Sequence, residues 1–422
     1  VALAAGFFCA AAAPLETYGH LPSLEDVQIS PDGSALAYLR TEGDQRLMLV
    51  ERIADRKLLA ALRLRDNKIR AIRWADDQHV LIEGSVTGRP IGVTGPIREW
   101  SILTLLDVPS GQPVTIKFDA HATQTLNTVW GNPMIRHIDG KSYIYVGGED
   151  FPGRRDQPAL FKINVDSGIA RLVLQGDPST RAWLVDESGA VVAEQDYDDK
   201  NQRWGIKIRR DGDLAEVASG HAEIDYPWLV GIGPDGSTAI LQSVENGATL
   251  WRSLSLKDGS WGLALGDGKP LSQRISDPLT DRLIGGVLVG TDTKDVFFDP
   301  AIQKHWDATV RAFAGERVRL VSHSADFSKI VVQVNGAQDG FVYDLVDYKT
   351  HHADLIGKVY DGLTEIAEVR AITYPAADGL QIPAYLTLPP GRAAKNLPLV
   401  VMPHGGPAAQ DTGDFHWWAQ AL

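Results

Sequence analysis

The sequence has little sulfur: three methionines and one cysteine, Cys9, in 422 residues. One cysteine excludes an intramolecular disulfide and a cysteine-based zinc centre. Positive charge is also short, with 41 lysines and arginines against 54 aspartates and glutamates and a net charge of −13. No basic field exists to recruit nucleic acid or an anionic membrane. No apolar run reaches the roughly 20 residues that a membrane-spanning helix needs. The stretch Val1 to Ala13, Val-Ala-Leu-Ala-Ala-Gly-Phe-Phe-Cys-Ala-Ala-Ala-Ala, instead matches the core of a secretory signal, with Ala-x-Ala cleavage options around Ala10 to Ala13. Residues 1–13 are therefore expected to be a signal-peptide remnant, and the protein to be exported, periplasmic or extracellular. Cys9 follows Phe8 rather than a small residue, which argues against lipid attachment. The mature protein would then contain no cysteine, as suits a disulfide-independent exported fold.

What is present is β-forming sequence in repeated units. From about Leu24 to Leu363, short alternating or apolar runs are separated by Asp-Gly, Asn-Gly and Ser-Gly turns, with no long helical stripe between them. Ile29-Ser-Pro-Asp-Gly-Ser-Ala-Leu-Ala-Tyr38 recurs as Ile232-Gly-Pro-Asp-Gly-Ser-Thr-Ala-Ile-Leu241. Weaker copies begin at Trp74, His137, Val185 and Ser324, and a seventh is read at Val289–Phe298. Their mean spacing of about 49 residues is close to that of four-stranded propeller blades. Further turn-linked strand pairs, such as Leu103–Ile116 and Leu160–Leu172, supply the outer hairpin of a blade. One such unit cannot bury both faces alone, but a ring can. Residues 20–363 are therefore expected to form a seven-bladed β-propeller.

Repetition stops near Thr364–Arg370. In Asp378-Gly-Leu-Gln-Ile-Pro-Ala-Tyr-Leu386 a hairpin turn precedes residues alternating at strand period. Leu399-Val-Val-Met402 is a continuous apolar run, expected to be a strand buried on both faces. It leads into Pro403-His404-Gly405-Gly406-Pro407. Phe415, Trp418, Ala419 and Leu422 then fall at the spacing of an amphipathic helix.

This ordered set, Asp378–Leu386, Leu397-Pro-Leu-Val-Val401 and His404-Gly405-Gly406-Pro407, resembles the start of the catalytic domain in the prolyl oligopeptidase family of serine peptidases, on its acylaminoacyl- and dipeptidyl-peptidase side. The resemblance covers about an eighth of the chain. It implies a mainly β molecule: a propeller at 20–363 followed at 371–422 by the truncated beginning of an α/β-hydrolase domain. It further implies hydrolysis of short peptides, with the propeller gating access and no cofactor or metal. By the family pattern the backbone N–H of Gly406, with Gly405 beside it, contributes to the oxyanion hole. His404 and Pro407 support that loop, because the family's catalytic histidine follows the nucleophile. No Gly-x-Ser-x-Gly occurs in the 422 residues, so the Ser, Asp and His of the triad are not in this chain and these residues alone are expected to be inactive. No Glu-Glu pair occurs either, which departs from the amine-binding pair of the dipeptidyl peptidases. The alternative is a non-enzymatic exported propeller that binds a protein partner, for which residues 374–407 have no use.

Other polar clusters read as structure first. His351-His352 point to opposite faces of a strand. Glu149-Asp150, the acidic residues from Asp196 to Asp199, and Arg154-Arg155 could meet a peptide's termini but suit exposed turns.

Overall fold

A computed structural model describes residues 14–64, 68–89, 96–119, 128–150, 157–245, 248–288, 293–336, 340–363, 366–406 and 411–422. The expected signal peptide, Arg154-Arg155 and Pro407 lie outside them.

The chain is mainly β, and its antiparallel sheets follow one another in sequence. Unit 1 comprises Leu24–Ile29, Ala35–Glu42, Gln45–Arg52 and Leu58–Arg63, each strand paired with the next. The same up-and-down order recurs at 68–114, 129–175, 180–221, 228–264 and 317–358 (units 2 to 5 and 7), while unit 6, 271–297, has three strands. Units 2 and 3 touch through the pair Val129–Ser101. Neighbouring units pack in succession, and unit 7 packs back on unit 1. That last junction shares no sheet. One of its polar links is Ser322, whose Oγ accepts from Ile29 N at 3.0 Å and donates to Val27 O at 3.1 Å.

The apolar residues explain why the units assemble. Among the described residues they gather into seven clusters, one at each seam of the ring, rather than into a single core. Val27, Ile29, Leu36, Val331 and Leu345 fill the seam between units 7 and 1. Ala37, Met48, Val50, Ile72 and Val80 fill that between units 1 and 2. The rest follow in turn. A sheet buried on both faces has continuous apolar strands, such as Ile330-Val331-Val332.

Six of the seven repeat copies are the turns between the first and second strands. Asp32, Asp76, Asp186, Asp235 and Asp326 each accept a backbone N–H two residues on, at 2.9–3.0 Å. A short carboxylate closes such a turn onto its own backbone. In unit 3 the turn is Asp139-Gly140, both at positive φ (51° and 72°), the left-handed geometry of a two-residue hairpin.

The seventh copy was misplaced. In unit 6 the equivalent turn is Asp277–Arg282, built on Asp277 and Thr280, whereas Val289–Phe298 falls on the next hairpin, with 289–292 outside the described residues. A Pro-Leu-Thr insert disguises the repeat. Also contrary to expectation, a helix follows at Pro300–Ala312. Asp299 caps it and Pro300 occupies its first turn, as a helix start requires. Ile302, Trp306 and Phe313 bring its apolar side onto the seam between units 6 and 7.

Beyond unit 7, Val369–Pro375 pairs with Gln381–Thr387 around Asp378-Gly379, with Gly379 at φ 87°. Two expectations for this segment fail. Leu399–Met402 is not a strand, and Leu399 and Val401 are 78% and 74% exposed. A strand exists by pairing, and no described sheet edge lies alongside it. The last helix is short, Trp417–Ala421. Phe415 lies outside it and stacks on Phe341 with ring centroids 4.3 Å apart, and Leu422 is exposed. Burial against unit 7 took Phe415 out of the helical stripe. No clear α/β-hydrolase layer is formed by these residues.

Candidate functional site

Successive strands alternate in direction, so the ring has two unlike ends. One carries the turns between first and second strands; the other carries the links between units and the tail.

The first end is laced across its seams. Asp32 N donates to Asp77 Oδ1 at 2.9 Å, Ala325 N to Pro31 O at 2.7 Å, and Lys329 Nζ to Gly33 O at 2.9 Å. Arg136 of unit 3, 1% exposed, donates to Val185 O and Asp186 O of unit 4. It also meets Asp281 of unit 6 at 3.4 Å, and Arg274 faces the other oxygen of Asp281 at 3.5 Å. Glu187 of unit 4 pairs with Arg282 of unit 6. These contacts bypass unit 5.

His79 is a constellation that sequence inspection missed. Its Nδ1 lies 2.9 Å from Asp76, and its Nε2 lies 3.9 Å from both Asp107 and Asp166. Burial works against the charged ring, but the Asp76 hydrogen bond and the three carboxylates outweigh it and hold the pKa above the ordinary value. The cluster ties unit 2 to the Asp166 turn of unit 3. Among the described residues His79 Nε2 faces the carboxylates of Asp107 and Asp166 and no hydroxyl. Nearby, Ser142 Oγ lies 3.1 Å from His137 Nδ1, while His137 Nε2 has no partner. Asp76 hydrogen-bonds Ser142 rather than the His137 imidazole, so among the described residues no carboxylate holds the second ring nitrogen as a triad would need.

Asp26 pins unit 1 to unit 2 by accepting Ile72 N at 2.6 Å and Gln28 Nε2 at 2.7 Å. Burial raises its pKa to about 6, against those hydrogen bonds and the charge of Arg73. The unfolded value is about 3.9, so its contribution to stability is fully present below about pH 4 and is lost as pH rises through about 6. Asp26→Asn keeps one acceptor for Ile72 N, can donate its amide to a flipped Gln28 side chain, and tolerates the left-handed backbone (φ 49°). Its urea midpoint should exceed the parent's at pH 8, with the gain gone at pH 4. An equal gain at both pH values would contradict the assignment.

At the opposite end the tail is strapped to units 6 and 7. Asp414 lies 3.3 Å from Thr293 Oγ1 and 3.7 Å from Arg319, and Phe415 packs against Phe341 and Tyr360. Gln420 holds both backbone groups of Ala367, at 2.8 and 3.0 Å. Between these anchors His404, Gly405 and Gly406 form an exposed bend. His404 Nδ1 donates to Gly405 O at 2.8 Å, which braces the bend. Gly406 has φ 141°, a conformation that favours glycine. The bend can present backbone N–H groups to an anionic oxygen; it holds no nucleophile.

The other sequence candidates are dispersed. Asp150 is buried and accepts Gln175 Nε2. Asp196 binds Lys207 at 2.7 Å, Asp198 closes a turn, and Asp199 pairs with Arg181. His351 sits in a turn at φ 58° and His352 is exposed on the next strand. Among the described residues no group of three His, Cys, Asp or Glu side chains could hold a metal, and no helix is long and apolar enough to cross a membrane.

No family profile matches the sequence, and no curated protein matches it. Solved structures do. A puromycin-hydrolysing peptidase of Mycobacterium tuberculosis superposes with a TM-score of 0.57 at 14% identity, covering 97% of this chain and 67% of that one. A puromycin hydrolase gives 0.54 at 15% identity with the same coverage. The acylaminoacyl peptidase of Pyrococcus horikoshii gives 0.50 at 11% identity, covering 90% of this chain and 60% of its own. At these identities the likeness is one of fold: the chain is structurally similar, over its propeller-like region, to peptidases of the prolyl oligopeptidase family.

Proposed function

We propose that these residues are the propeller-bearing part of an exported serine peptidase that hydrolyses short peptides, of the oligopeptidase, acylaminoacyl- or dipeptidyl-peptidase kind. The observation that carries the reading is the pairing of a seven-unit ring with a His404-Gly405-Gly406 bend, strapped to one end through Asp414, Phe415 and Gln420. A ring laced at its other end suits a wall that admits only short or unfolded chains.

In this reading Gly406 N–H donates to the oxyanion of the tetrahedral intermediate, with Gly405 giving the chain room to turn and His404 bracing the loop. One such donor contributes about 2.7–4 kcal/mol of transition-state stabilisation. The nucleophilic serine, its histidine and the orienting aspartate lie outside these 422 residues, in an α/β-hydrolase domain that the ring partly covers.

The product of the uninterrupted reading frame should contain Gly-x-Ser-x-Gly, then Asp, then His, and should be labelled by a serine-directed phosphonate. Residues 1–422 alone should not be labelled and should not turn over chromogenic aminoacyl or peptidyl substrates. Phosphonate-sensitive turnover by residues 1–422, or a native stop codon directly after Leu422, would overturn the proposal.

A further inference from the structure

Between units 4 and 5 lies a pocket of about 240 Å³, lined by Trp204, Pro227, Ser243, Glu245, Arg252 and Trp261. Strand register builds one wall. Trp204 lies opposite Tyr197, so both rings share the face turned toward unit 5, and Tyr226 stacks on Tyr197 with centroids 4.1 Å apart. The floor is fixed without a ligand. Buried Gln195 donates Nε2 to Pro227 O and accepts Leu229 N, both at 2.8 Å, and Tyr197 OH donates to Ala222 O at 2.8 Å.

Charge and indole build the other wall. Arg252 donates Nη1 to Glu245 Oε1 at 3.1 Å and Nη2 to Gly262 O at 3.2 Å. Its guanidinium lies 5.5 Å from the centre of the Trp261 ring, within cation–π range. Ser243 Oγ also turns to Glu245 Oε1 at 3.4 Å. Glu245 Oε2 has no hydrogen-bond partner among the described residues. Trp261 remains 39% exposed, whereas Trp251 of the same unit is fully buried.

We propose that this pocket binds one aromatic side chain of a peptide. The ring lies between Trp204 and the Arg252–Trp261 wall, and an adjacent backbone N–H donates to Glu245 Oε2. Three features select this ligand. The volume is below the roughly 300 Å³ at which sites for whole drug-sized molecules begin, and suits a single side chain. Two indoles and a proline offer the flat apolar contact that an aromatic ring uses best. Ser243, Arg252 and Glu245 Oε1 already bond one another or Gly262 O, which leaves few groups to pair the hydroxyls of a sugar. The inference needs no hydrolysis, so its failure and that of the peptidase reading are separate results.

The test is ligand-observed NMR on residues 1–422, with N-acetyl-phenylalaninamide as probe and N-acetyl-alaninamide and a methyl glucoside as controls. Saturable binding is expected for the phenylalanine amide alone. Trp261→Ala should weaken it by about tenfold, as loss of an aromatic anchor does, and Glu245→Gln by a smaller factor. Trp204→Ala should behave like Trp261→Ala if it folds; Gly220 packs beneath the Trp204 indole, so Trp261→Ala, on an edge strand, is the deciding variant. Absence of saturation, equal binding of the alanine amide, displacement by the glucoside, or unchanged affinity in Trp261→Ala would each overturn the proposal.

Discussion

Arg136→Met is expected to lower folding stability by about 3–5 kcal/mol, the usual result of removing one partner from a buried charge network. The arginine does three things at once. It supplies donors to Val185 O and Asp186 O, bonds the carbonyl of Ile135 in its own strand, and reaches Asp281 on the far side of unit 5. Methionine fills similar space but offers no donor, leaving buried carbonyls without partners. Asp281 keeps Arg274 at 3.5 Å, so the missing donors dominate the loss. Urea unfolding followed by far-ultraviolet circular dichroism measures it, with Arg274→Met as control. Arg274 is part-exposed, and its loss should cost about 1 kcal/mol or less. If the two variants lost equal stability, the network around Arg136 would have no special standing.

Trp251→Ala should cost a similar amount, about 3–5 kcal/mol, by a different route. Trp251 is completely buried and shares the seam between units 5 and 6 with Ile240, Leu271 and Leu283. Gly286 is built around it: a β-carbon there would stand 3.1 Å from the indole. Truncation therefore opens a cavity whose backbone lining cannot collapse far, which places the cost at the upper part of the range. Its Nε1 also donates to Gln242 at 3.3 Å. Trp251→Phe should recover at least half of the loss, because most of the area returns. A cost below about 1 kcal/mol for the alanine variant would mean that units 5 and 6 do not depend on this seam.

These two residues also show what was legible in the sequence. The units could be read because their turns are local: an Asp accepting a backbone N–H two residues on leaves the same short signature wherever it occurs. Unit 6 escaped because Pro278, Leu279 and Thr280 build an equivalent turn from different residues. The helix at Pro300–Ala312 could have been found from Asp299-Pro300 and the spacing of Ile302, Trp306 and Phe313. A mostly polar composition hid it inside a β-rich region. Arg136 could not be recognised, since nothing near it in sequence reveals partners 50 and 145 positions away. The same holds for the pocket between units 4 and 5, assembled from residues spread over Trp204 to Trp261. In the tail, the hairpin at Asp378-Gly379 was correctly read because its pairing is local. The strand at Leu399–Met402 was not realised because its pairing would have to be remote.

The junction between units 7 and 1 sets a clock on biosynthesis. Ile29 and its partner Ser322 are separated by 293 positions in the chain, and every apolar group in that seam waits for the same interval. At synthesis rates of about 5–20 residues per second, unit 1 spends roughly 15–60 s with one face uncovered. Leu24, Val27 and Leu36, buried in the finished ring, are the side chains left in water meanwhile. Each other seam joins consecutive units and can close within one unit's length of chain. The ring is thus exposed to misassembly at its oldest part, and a nascent chain halted before unit 7 would offer chaperones a ready-made apolar sheet face.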